Sequence, residues 1–180
     1  MNNSRRRLLV LGGSVSGWML LTGHSPYRQW IAYRQAHLLL FTTRDDPGSD
    51  ELGERLAARL RETLPDSKAR VARAPDVDRV ASLLASAQAD TAVLTPEHAL
   101  ALLHGEPPFT AYGAIPLRAL ASGEQYVLVC RDEFKRRHAF LVAEALCRGD
   151  APLLSLPGPD DALPAHPGAL AVAAGTPPDE

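Results

Sequence analysis

Residues 38–64 read LLLFTTRDDPGSDELGERLAARLRETL, and this stretch decides the fold. The apolar run Leu38, Leu39, Leu40, Phe41 stops at Thr42 and Thr43. Asp45, Asp46, Pro47 and Gly48 make a turn, because proline fixes φ and glycine supplies freedom where the chain reverses. Ser49 or Asp50 then caps a helix. Leu52, Leu56, Leu60 and Leu64 recur every four residues with Ala57 beside them, so one helical face is apolar. Arg55, Arg59, Arg61 and Glu62 fall largely off that stripe, and Pro65 ends the helix. The pattern predicts a buried first strand, a loop, and a helix covering a sheet. In open α/β sheets ligands bind beyond the carboxyl ends of strands, which places a candidate site in the loop 42–50.

The alternation continues towards the carboxyl terminus. A short strand is predicted over 68–73. After Pro75 comes a helix capped by Asp76, with Val77, Val80, Leu83, Leu84 and Ala87 as its buried stripe. Thr91, Ala92, Val93 and Leu94 form a third strand. Pro96 then sits where a first helical turn accepts proline, and a helix over 97–103 ends at Gly105. Crossovers this long imply parallel pairing with helices on the sheet faces. Two further strands, 117–121 and 126–130, are joined by Ser122-Gly123-Glu124-Gln125, and a helix covers 135–147. After Gly149 the chain turns Pro- and Ala-rich. Ordered segments against the core are predicted at 153–156 and near Leu170, with His166-Pro167-Gly168 as a turn and a disordered end.

The charge is divided along the chain. Residues 1–37 hold five arginines and no acid, leaving 14 basic against 21 acidic residues in the body. An acidic body argues against nucleic-acid binding. Arg5 and Arg6 open a twin-arginine-like run, Ser4 to Leu9, and residues 8–22 are weakly apolar and rich in Gly and Ser. This predicts an export signal or anchor that begins with a hydrophobic helix. No A-x-A cleavage site follows, so an uncleaved tether is preferred, with Tyr27, Trp30 and Tyr33 at the membrane surface. Residues 8–17 also imitate a strand running into a Gly-rich dinucleotide loop. That loop needs an acid about 20 residues on, and none is there. The domains read as 1–36 leader, 37–150 α/β lobe and 151–180 Pro-rich extension.

Catalytic motifs are missing: there is no G-x-S-x-G, H-E-x-x-H or Walker loop. We therefore expect no enzyme, no cofactor and no metal. His98 and His104 lie six apart and share no helical face. Cys130 and Cys147 read as two buried thiols, with a disulfide between them as the alternative. Lys135-Arg136-Arg137-His138 is a basic cluster at a helix start and reads as a solvated face.

Four stretches together resemble the TAXI-type solute receptors of TRAP transporters, among the type II periplasmic binding proteins. They are Leu52-Gly53 through Leu64-Pro65, then 83–93 (LLASAQADTAV), then Leu117-Arg118-Ala119-Leu120-Ala121 with Val127-Leu128-Val129-Cys130-Arg131, and finally Leu163-Pro164-Ala165-His166-Pro167-Gly168-Ala169. The resemblance implies an α/β fold with a mostly parallel sheet flanked by helices, and a periplasmic receptor. It also implies a second lobe after residue 131. Here Asp132-Glu133-Phe134 instead runs directly into a late helix, so one lobe is expected. Thr42, Thr43, Arg44, Thr95 and Tyr112 are the positions that would line its cleft. The acids Asp45, Asp46, Asp50 and Glu51 would satisfy the free N–H groups of the helix start and repel an anionic ligand. Two functions follow. One is binding of a small solute by a membrane-tethered lobe on the periplasmic side of a bacterial inner membrane, its cleft completed by a homodimer or a partner. The other is a docking module for a membrane protein or periplasmic complex.

Overall fold

The computed structural model describes residues 37–149 and 151–176. The leader over 1–36, with Arg5 and Arg6, and the last four residues of the tail lie outside the described residues. No helix among the described residues is long and apolar enough to cross a membrane.

The first strand, β1 (Leu39–Thr43), is buried along its whole length. It leads into α1 (Pro47–Thr63). The helix begins earlier than the expected cap at Ser49 or Asp50. Asp46 is the cap: its Oδ1 accepts the N–H groups of Gly48 and Ser49 at 3.1 and 3.3 Å. Pro47 then takes the first helical position, where a missing N–H costs nothing. Leu56, Ala57 and Leu60 are fully buried, as the leucine stripe requires. Gly53 lies where α1 comes closest to β1, and a Cβ there would strike the Thr42 methyl.

After a 3₁₀ turn the chain forms β2 (Arg70–Ala74), α2 (Val77–Ala85), β3 (Thr91–Leu94) and α3 (Pro96–His104). β2 and β3 pair with β1 in parallel on either side. Then come β4 (Leu117–Ser122) and β5 (Val127–Arg131). The strand order is β2-β1-β3-β5-β4. β5 runs antiparallel to both β3 and β4, so the sheet is mixed and not mostly parallel. The physical reason is the link: residues 123–126 are too few for a crossover and permit only a reversal.

Two layers of helix close the sheet. Leu39, Phe41, Ala92, Leu94 and Val129 point to one face, under α2 and α3. Leu40, Val93, Leu128 and Cys130 point to the other, under α1 and α4 (Arg136–Cys147). The alternation is the two-residue period of a strand. It breaks at a bulge between Ala119 and Ala121, which sets both Leu120 and Ala121 on the α1/α4 face.

The carboxyl-terminal segment is more regular than the two ordered stretches predicted for it. The segment 153–156 is ordered against the core as expected: Ser155 pairs with Ser122, and Leu154 is buried against the α1/α4 face. Beyond it the chain forms α5 (Pro167–Ala174) where only a turn and an ordered stretch were predicted. His166 caps α5, Pro167 takes its first position, and Gly175 ends it at φ 66°. Ala169, Ala171 and Val172 bury against Phe140 and Ala143 of α4.

Candidate functional site

The carboxyl ends of β1 and β3 lie side by side, and the loops leaving them enclose a cavity of about 210 Å³. Its polar walls are Thr43, Asp45, Asp46, Thr95 and His98, and Val77, Val93 and Leu94 supply the apolar surface. Thr95 caps α3, its Oγ1 accepting the His98 N–H at 3.3 Å, so the cap fixes the start of the helix that carries His98. The imidazole stands edge-on to Phe109, with centroids 5.7 Å apart.

Of the five cleft positions expected from the sequence, the cavity gathers Thr43 and Thr95. Thr42 faces away: its hydroxyl donates to Asp50 Oδ1 at 3.1 Å, beneath α1. Neighbouring strand residues point to opposite faces, so Thr42 and Thr43 cannot share one cavity. The Arg44 side chain is exposed and off the cavity wall. Tyr112 belongs to a 3₁₀ turn and donates to Asp78 Oδ2 at 2.8 Å, also off the wall.

The acidic loop divides its work in a way the sequence did not reveal. Asp50 and Glu54 engage Arg73 of β2, at 2.8 and 2.6 Å. Asp46 alone caps the helix, and its Oδ1 accepts a third bond, from the Tyr126 hydroxyl at 2.7 Å. Tyr126 is the last residue of the link before β5, 80 residues away in sequence, and nothing local predicts it. A Cβ on Gly48 would strike that hydroxyl, so glycine is what lets Tyr126 reach the cap. The bond to Asp46, then burial and the carboxylate charge, push the Tyr126 phenol up to about 12. Three bonds converge on Oδ1, whereas Oδ2 of Asp46 takes none among the described residues. The cavity therefore presents acceptors and negative charge.

No known protein family matches the chain, and no curated protein matches it. What the cavity can do rests on its own chemistry. Hydroxyls, an imidazole and two carboxylates suit a small donor-bearing cation and repel an anion. Among the described residues no cluster of three His, Cys, Asp or Glu side chains is placed to hold a metal ion. Cys130 and Cys147 are free thiols in the structure, and the alternative bridge is not made. Burial pushes both thiols up, Cys147 to about 12, and so disfavours the thiolate at neutral pH.

A larger recess of about 900 Å³ lies at the other end of β1. Leu38, Phe41, Leu64, Phe134 and Leu141 line it. It also borders His37, the first described residue. We place the candidate site at the smaller cavity, where polar groups converge at the ends of parallel strands.

Proposed function

We propose that the chain is a solute-binding lobe that takes a small cation, an amine carrying N–H donors, at the carboxyl ends of β1 and β3. The observation that carries this is the polar cavity of about 210 Å³, with Asp45 and Asp46 in its wall. Its volume is below the roughly 300 Å³ of ordinary ligand sites. The occupant is therefore small, or a second copy or partner completes the cleft. The resemblance to TAXI-type receptors, type II periplasmic binding proteins, supports the same reading with one lobe in place of two. So does the parallel β2-β1-β3 half with helices on both faces. In this reading residues 1–36 export and tether the lobe to the periplasmic side of a bacterial inner membrane, and no reaction is catalysed.

A second reading, a docking module for a membrane protein, is favoured by one observation. The start of α1, where a bound anion would sit, is already filled by Asp46 and covered by Tyr126. Thermal-shift titration of the full chain separates the two. Methylamine and putrescine are compared with acetate and pyruvate at low salt. An amine at a hundred times its Kd is expected to stabilise the fold by about 2.7 kcal/mol. Asp45→Asn, which changes an exposed side chain, should weaken that shift without changing basal stability. A response to carboxylates alone would overturn the cation assignment. A response to none of the four would move the assignment to docking. For the tether, replacing Arg5 and Arg6 by lysine is expected to hold the chain in the cytoplasm, and export at the normal level would refute the signal.

A further inference from the structure

A buried imidazole caps the carboxyl-terminal helix, whose far end Arg148 Nη2 also ties down through the Val172 carbonyl at 3.0 Å. His166 is 2 % exposed and precedes α5. Its Nδ1 accepts the Gly168 N–H at 3.0 Å, so Nδ1 carries no proton. Its Nε2 lies 2.9 Å from the Phe134 carbonyl oxygen, to which it must donate. The neutral tautomer thus uses both ring nitrogens. The backbone adds two bonds to β4, His166 N–H to the Ala119 carbonyl and Ala119 N–H to the Pro164 carbonyl, both at 2.9 Å.

A second proton would go to Nδ1. Donor would then face donor at the Gly168 N–H, and a positive charge would sit at the positive end of the α5 dipole. The groups around the ring are mixed. Arg118 of β4 and Arg136 of α4 oppose the charge, and Asp132, between β5 and α4, favours it. Arg118 and Asp132 are paired at 2.6 Å and offset one another. His138 stands across the Phe134 ring, its centroid 6.0 Å from that of the phenyl, and Lys135 and Arg137 lie near it. Burial is the largest influence and holds His166 below the usual histidine range.

The first turn of α5 is also what docks it. Gly168 packs against α4 so closely that a Cβ would meet Phe140 N at 2.7 Å and Ala139 Cβ at 2.8 Å. If that turn opens, Ala169, Ala171 and Val172 leave Phe140 and Ala143. We propose that α5 is a pH-operated cover, which lifts when His166 takes up a proton and uncovers an apolar face of α4. A depressed histidine contributes its stability in full above its ordinary value of about 6.5, and that contribution is lost as pH falls through the depressed one. The working window therefore lies below about 6.5.

Hydrogen–deuterium exchange of the full chain at pH 7.5 and 5.0, corrected for intrinsic rates, tests this. The α5 amides should lose protection as pH falls below about 6.5, by up to about tenfold per pH unit until the depressed His166 midpoint is reached, while those of β1 keep theirs. His166→Asn supplies a capping oxygen that does not titrate, so its α5 protection should be the same at both pH values. His138→Gln should respond like the parent. Equal α5 protection in the parent at both pH values would overturn the proposal, as would a parent-like response in His166→Asn or loss of it in His138→Gln. Should His166→Asn not fold, NMR titration of the parent decides: the midpoints for the His166 ring and α5 opening must coincide, and separate midpoints overturn the cover.

Discussion

Replacing Gly168 with alanine is expected to lower the melting temperature by about 4–8 °C, the shift that about 2 kcal/mol produces in a chain of this size. The sign is the informative part. In an uncrowded helix the same change would stabilise by up to about 1 kcal/mol, because glycine is the poorer helix former. At residue 168 the added methyl meets the Arg136 carbonyl oxygen and Phe140 N of α4, backbone atoms that cannot rotate away. Overpacking of this kind costs about 1–3 kcal/mol, and here it falls at the upper end because neither wall is a flexible side chain. Circular dichroism melts of parent and variant measure the difference. A rise in melting temperature would mean that α5 does not press on α4 as the structure has it. A fall with loss of exchange protection confined to α5 would show that the helix docks as a unit.

The strand, loop and helix of 38–64 were legible because leucine recurs with the helical period and proline punctuates both ends. The cap was not. Asp46, Ser49 and Asp50 are all competent capping residues, and the extended backbone of Asp46 ahead of Pro47 marks the first as the cap. The mixed sheet was within reach: a link of four residues cannot carry a crossover, so β4 and β5 had to reverse. Parallel pairing was inferred from three strands and extended too far. Thr42 and Thr43 could likewise have been separated by strand alternation alone. α5 had its signals too, Pro167 at the start and Gly175 at the end, but its amphipathic stripe is inverted. Its largest side chain, Leu170, is 36 % exposed, while Gly168, Ala169 and Ala171 are buried. A helix that buries small residues to approach its neighbour leaves no hydrophobic pattern to read. The Tyr126–Asp46 bond spans 80 residues and leaves none either.

That bond gives the prediction closest to function. Asp46→Ala is expected to cost about 3 kcal/mol, and Asp46→Asn less than about 1 kcal/mol. Alanine removes a cap worth about 1–2 kcal/mol, a charge at the helix start worth a few tenths to 1, and the acceptor of the Tyr126 hydroxyl. Asparagine keeps the acceptor oxygen and caps as well as aspartate, so it loses the charge alone. Tyr126→Phe should cost about 1 kcal/mol, since the bond is only part-buried and water replaces part of what Asp46 gives up. Its double mutant with Asp46→Ala should cost less than the two changes added, because they break one shared bond. The phenol also sets an alkaline limit. A raised tyrosine contributes its stability in full below its ordinary value of about 10 and loses it as pH rises through about 12, so the parent should weaken across that window more than Tyr126→Phe. Urea titrations of these variants at pH 7.5 and 11 provide every number. Equal losses for Asp46→Ala and Asp46→Asn would show that charge, and not capping, fastens the loop. With the fold kept by asparagine, the solute reading and the docking reading part company: the first requires Asp46→Asn to bind methylamine more weakly than the parent, because the carboxylate is the counter-charge in the cavity. The second requires no such loss, because the carboxylate then serves only the helix and Tyr126.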